Sequence, residues 1–241
     1  MLDTSLIIRT AREEDLDALV ALEHTVAQGL PSREMFVVDE RAFYEPLLMQ
    51  NNGQILLAEY ENRIVGAGIV AFPRAKATDN LGKELLFPLS LLERVVHIES
   101  VYILPEFRGK KLAQVLTSRN LELAAQYGRD RALSTVWPGN ASSMSFLYEL
   151  GLTVRKLTRK YGGLDRFIML RTPEKTVSSG ESVLIPCLDM DGHRKQLSQG
   201  MIGVGLLRHD EAKHDQPGNL AFSVIYRKVN GDLSCGSSAN A

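Results

Sequence analysis

Cysteine is scarce in this chain: Cys187 and Cys235 are its two residues of that type. Two cysteines make no disulfide framework, and no Cys/His spacing matches a zinc site. The first ten residues carry Asp3 and Arg9 and no apolar signal core. The expectation is therefore a cytoplasmic, reducing setting and no metal. An excess of one charge is missing too, since 28 basic residues face 29 acidic ones. No nucleic-acid partner is expected from that balance. No apolar run approaches the roughly 20 residues of a membrane span, so no membrane partner is expected either. No internal repeat is visible, which argues against a solenoid.

The composition does supply apolar residues, 44% of 241. That suffices for one large domain, or one domain with a small appendage. Leu6 to Arg9 reads as a strand, and Thr10 as a helix N-cap with Glu13 as its capping-box partner. Leu16, Leu19, Val20 and Leu22 to Val26 make a helical apolar stripe. Residues 28 to 39 read as a loop or broken helix, and Asp39 to Met49 as a helix. Gln54 to Tyr60 and Arg63 to Phe72 are strands joined by a tight turn at Glu61-Asn62. Residues 73 to 90 form a long excursion of the kind that covers sites. Val95 to Leu104 is a strand, 110 to 127 a helix capped by Gly128, and Ala132 to Val136 a strand. Asn140 caps a helix to Leu150, and Leu152 to Leu157 and Arg166 to Leu170 close as strands. This order gives a mixed α/β sheet with helices on both faces.

Beyond Thr172-Pro173 the composition changes. Residues 172–181 read as a linker after a main domain at 1–171. Three strand-like runs within 182–228 form a small β-rich C-terminal unit, and 229–241 reads as a disordered tail. A sheet of three strands needs something to pack on. The expectation is that this unit leans on the main domain or mediates a homo-oligomer.

The strongest chemical signal is Arg108-Gly109-Lys110-Lys111-Leu112-Ala113, between a strand and a helix. Helix-start amides lack intrahelical acceptors, and the helix dipole favours an anion there. A glycine-containing basic turn in that place suits a phosphate or pyrophosphate. It is too short for a P-loop and lacks the three glycines of a dinucleotide fingerprint.

These features resemble the GNAT superfamily of acyl-CoA-dependent N-acyltransferases over roughly residues 6 to 171. The family's turn is Arg/Gln-x-x-Gly-x-Gly/Ala; Arg108 and Ala113 match its ends, and Lys111 stands at the central glycine. The segment Asn140 to Leu152 resembles the family's Asn-x-x-Ala/Ser-x-x-Phe-Tyr helix. The resemblance implies a twisted, mostly antiparallel sheet of the α+β kind. It implies acetyl-CoA held by Arg108 through Ala113, with the pantetheine arm along Val101, Tyr102 and Ile103. It also places Tyr148 beside the sulfur as general acid, with Asn140 as a cap that contacts the cofactor.

Amine acylation also needs a base and a polarised carbonyl. His97 and Glu99 share a face of one strand, and either could take the proton directly or through water. Strand-end amides near Tyr102 would face the acyl carbonyl. The expected activity is acetyl transfer from acetyl-CoA to a small-molecule or peptide amine. Two alternatives stay open from sequence: a non-catalytic acyl-CoA-binding module, and an acyltransferase for a longer acyl group or a protein amine.

Overall fold

The computed structural model describes residues 5–29, 38–39, 41–174, 178–209 and 222–229. Residues 30–37 of the expected loop, His214, Cys235 and residues 230–241 of the expected tail lie outside them. The chain divides into two compact units, Met1–Asp79 with Glu93–Ala132, and Asn80–Leu92 with Leu133–Ala241.

In the first unit, strands β1 (Leu6–Thr10), β2 (Gly53–Tyr60), β3 (Arg63–Ala71) and β4 (Val95–Ile103) lie side by side in sequence order. Each pairs with the next antiparallel. Glu61 and Asn62 both have positive φ, 50° and 60°. That is the backbone of a type I′ turn, whose twist matches a tight hairpin. Thr10 ends β1 and is not the expected helix cap. A 3₁₀ turn at Glu13–Asp15 leads in from Arg12 instead, and Asp15 supplies the back half of its capping box: its carboxylate accepts from the Arg12 N–H at 2.8 Å and is clasped by Arg9 at 2.7 Å. Helix α1 (Leu16–Gln28) follows and buries Leu16, Leu19, Leu22 and Val26. Helix α2 (Arg41–Met49) buries Tyr44 and Leu47.

Helix α4 (Leu112–Gln126) covers the opposite face, and glycine makes that possible. A Cβ on Gly68 would stand 2.9 Å from the Leu116 Cβ, so only a bare backbone admits the helix here. Asn120 Nδ2 fixes the contact by donating to Gly68 O at 2.8 Å. Ala67, the next residue along β3, pairs with Tyr102, whose hydroxyl meets α1 and α2. Successive strand residues face opposite ways, so α1 and α2 lie on one face and α4 on the other.

The second unit begins with a short insert, a 3₁₀ turn at Leu81–Leu85 and helix α3 (Leu89–Leu92). Glu84 ties this insert to β6 (Thr153–Lys160), accepting from Lys156 Nζ at 2.8 Å and Lys160 Nζ at 3.4 Å. Strands β5 (Arg131–Val136), β7 (Leu164–Arg171), β6, β9 (Met201–Arg208), β10 (Phe222–Val229) and β8 (Ser178–Pro186) follow one another across its sheet. β6 and β7 form a hairpin closed by Tyr161, Gly162 and Gly163, all with positive φ. β9 pairs antiparallel with β6 through Val154 and Gly203, so the C-terminal strands extend this sheet. β8 begins at Ser178, inside the segment expected as linker.

Helix α5 (Ala141–Glu149) starts where expected, at Asn140. Helix α6 (Met190–Ser198) was not expected. Its start uses Asp189, whose carboxylate accepts from the Gly192 N–H at 2.9 Å. Its buried residues are His193 and Gln196, so it has no apolar stripe to betray it.

Candidate active site

Strand β4 carries an irregularity at its centre. Ile69 and Val70 are consecutive on β3, yet they face Ser100 and Ile98 on β4. Glu99 is the extra residue, a β-bulge that turns it out of the β3 ladder. Bulges of this kind re-aim a side chain and gather beside active sites. The Glu99 carboxylate is partly exposed and lies 3.1 Å from His97 Nδ1, while His97 is buried. The two candidate bases are thus brought together as one hydrogen-bonded pair.

Past the bulge, Val101 is half-buried and Tyr102 and Ile103 are buried. Tyr102 leads into a polar network that sequence reasoning missed. Glu23, fully buried on α1, accepts from Tyr44 Oη at 2.7 Å, Tyr102 Oη at 3.1 Å and the Asp39 N–H at 2.7 Å. The two tyrosine oxygens are 3.1 Å apart. Burial pushes both hydroxyls well above the usual tyrosine range. Asp39 is pushed up to about 7, first by burial and then by the negative charge of Glu23 and Glu99. Glu23 could have been found: it is the acidic position inside the apolar stripe of α1.

The turn follows β4 directly. Arg108 Nε donates to Ile103 O at 3.1 Å and so anchors the turn to the strand end. Gly109 and Lys111 have φ of 75° and 58°. Lys111 is the N-cap of α4 and makes no capping side-chain bond, and the first turn of α4 holds no acidic residue. The leading amides of a fifteen-residue helix thus lie beside Gly109, Lys110 and Lys111, with no capping side chain and no negative charge of their own. This arrangement fits a pyrophosphate. Leu112 is buried and Ala113 half-buried in the start of the helix. The left-handed backbone at Lys111 explains why glycine suits this position: the requirement is conformational.

Asn140 and Tyr148 belong to the second unit. Asn140 Oδ1 accepts from the Ser143 N–H at 3.0 Å, so its oxygen does cap work. The Tyr148 hydroxyl is wholly enclosed and has no hydrogen-bond partner among the described residues. Burial raises it well above the usual tyrosine value, and nearby Tyr226 and Cys187 add to the effect.

The sequence profile of the acetyltransferase (GNAT) family matches residues 16–152. The chain belongs to that family: it is a GNAT-family acetyltransferase. Among curated proteins none matches the sequence significantly. Solved structures share the fold at low identity. yncA from Salmonella typhimurium, solved with its cofactor acetyl-CoA, is 21% identical with a TM-score of 0.53, covering 73% of this chain and 99% of that one. A phosphinothricin acetyltransferase from Sinorhizobium meliloti, in complex with AcCoA, is 19% identical with a TM-score of 0.52, covering 70% and 89%. NAA60 from Arabidopsis thaliana, in complex with acetyl-CoA, is 13% identical with a TM-score of 0.53, covering 70% and 98%. Among the described residues no helix is long and apolar enough to cross a membrane.

Proposed function

We propose that the protein transfers the acetyl group of acetyl-CoA directly to a primary amine, without an acyl-enzyme intermediate. The observation that carries this reading is the bulge at Glu99, which sets a carboxylate against His97 in the middle of β4. Acetyl-CoA supplies the activated acyl thioester. The uncapped start of α4, with Arg108 to Ala113, holds its pyrophosphate, and the backbone of Val101 to Ile103 aligns the pantetheine arm. Amides near Tyr102 polarise the acyl carbonyl.

The amine nitrogen forms its bond to the acyl carbon as the carbon–sulfur bond breaks. Glu99 takes the proton from that nitrogen, with His97 beside it as partner or alternative base. Tyr148 donates to the leaving sulfur. Burial raises its pKa, so the hydroxyl keeps its proton at neutral pH. The products are an amide and free CoA thiol. The acceptor is a small-molecule or peptide amine.

The test is thiol release from acetyl-CoA across a panel of amines, with melting temperature as the companion measurement. Acetyl-CoA should raise the melting temperature more than NAD or ATP does. Glu99→Gln keeps the shape and removes the carboxylate, so turnover should fall about a hundredfold. The loss should be largest at low pH, where the amine is most protonated. Unchanged turnover across the pH range would remove Glu99 from the role of base.

A further inference from the structure

We propose that the insert at Asn80–Leu92 is a membrane-surface contact: its leucine tip enters the boundary of an anionic bilayer while a collar of basic side chains meets the lipid headgroups. The tip is the uncharged run Leu85-Leu86-Phe87-Pro88-Leu89-Ser90-Leu91-Leu92. Within that run only Leu92 is buried, while Leu86 is 84% exposed and Leu89 52%. Single apolar residues on a surface are ordinary, but a contiguous apolar patch marks a contact. The backbone at Leu86 is unfavourable as well. Leu86 closes the 3₁₀ turn Leu81–Leu85 in the left-handed conformation, with φ of 57°, where glycine is the usual residue. Glycine would serve the free protein better on both counts. What leucine adds there is apolar surface held outward, which gains only against an apolar partner.

The charges beside the tip say which partner. The insert and β6 together carry Lys83, Arg155, Lys156, Arg159 and Lys160 against one acid, Glu84, and all of them belong to the second unit. Lys156 Nζ and Lys160 Nζ both reach the Glu84 carboxylate, at 2.8 Å and 3.4 Å. Lys156 Nζ also donates to Glu84 O at 2.9 Å. Two ammonium groups are thus seated at a residue two places before Leu86, and exposed Lys83 is one place further back. An apolar tip within a basic collar matches an anionic bilayer surface, where acyl chains lie behind phosphates. Long lysine stems can follow the tip down while their heads stay among the headgroups. A protein would instead have to offer a concave apolar pocket ringed by acids. Such a contact lies on the membrane and needs no spanning helix, and among the described residues there is none.

The experiment is co-sedimentation of the full chain with vesicles of phosphatidylcholine containing about a quarter phosphatidylserine. The protein should bind them at low salt, and bind much less to pure phosphatidylcholine or at high salt. Leu86→Gly removes the tip and suits the left-handed backbone, so its melting temperature should be equal or higher. Its affinity for the anionic vesicles should fall about tenfold or more. Lys83→Glu should weaken binding about fivefold or more. No binding of the unaltered chain to the anionic vesicles would overturn the inference. So would binding by Leu86→Gly as tight as that of the unaltered chain, or equal binding to neutral vesicles. Sedimentation velocity without lipid covers the other occupant. A monomer in both proteins fits the inference. A dimer of the unaltered chain that Leu86→Gly dissociates would assign the tip to a second copy and overturn it.

Discussion

Lys111 pays a conformational cost at the place where the chain must grip an anion. A non-glycine residue in the left-handed region loses about 1–2 kcal/mol, and φ here is 58°. Lys111→Gly should therefore stabilise the protein by about 1 kcal/mol, read by denaturant unfolding, and leave acetyl-CoA affinity within a few-fold. A large loss of affinity would instead make the lysine ammonium a principal phosphate ligand. Asp39 gives a second test at this scale. Its carboxyl titrates at about 7 in the folded state against 3.8 in the unfolded chain. The folded state keeps a proton that the unfolded chain gives up between those values. The stability this contributes is present below pH 3.8 and is lost as pH rises through about 7. Asp39→Asn should remove that slope from a plot of melting temperature against pH, and an unchanged slope would refute the assignment.

Elements with a clear period were legible in the sequence, and those without one were not. β4 and α4 follow from an apolar run and an amphipathic run, and the turn between them from residue type alone. The pairing of His97 with Glu99 follows from strand alternation. The bulge at Glu99 does not, because it depends on the register with β3, far away in sequence. Glu23 was hidden because a buried acid on an apolar stripe looks like a lapse in the pattern until Tyr44 and Tyr102 are placed against it. Helix α6 was missed because its buried face is polar. That face makes its own prediction. His193 is depressed from 6.5, chiefly by burial, with Phe167 edge-on at 4.8 Å between ring centroids. The unfolded chain takes up a proton below pH 6.5 that folded His193 resists, so stability falls as pH drops through that value. The single tryptophan, Trp137, lies in the same unit. Read by its fluorescence, the melting temperature should fall from pH 7 to 5 relative to that of His193→Gln, in which the Asp39 contribution over the same range is unchanged.

At the scale of the whole molecule, the C-terminal strands continue the sheet of the second unit through the Val154–Gly203 pair. Val154 is fully buried. A chain cut after Arg171 should expose it together with Tyr148, and lose solubility. The insert at Asn80–Leu92 has a different consequence, one of timing. It precedes β4 in the chain yet keeps its partners Lys156 and Lys160 for Glu84 more than seventy residues downstream. During synthesis the first unit has all its residues once Ala132 has emerged. The insert must then wait for the lysine partners of Glu84 until β6 leaves the ribosome. A nascent chain stalled with Ala132 emerged but β6 still inside the ribosome should be nicked by protease within 80–92, and the same bonds should resist once β6 is out.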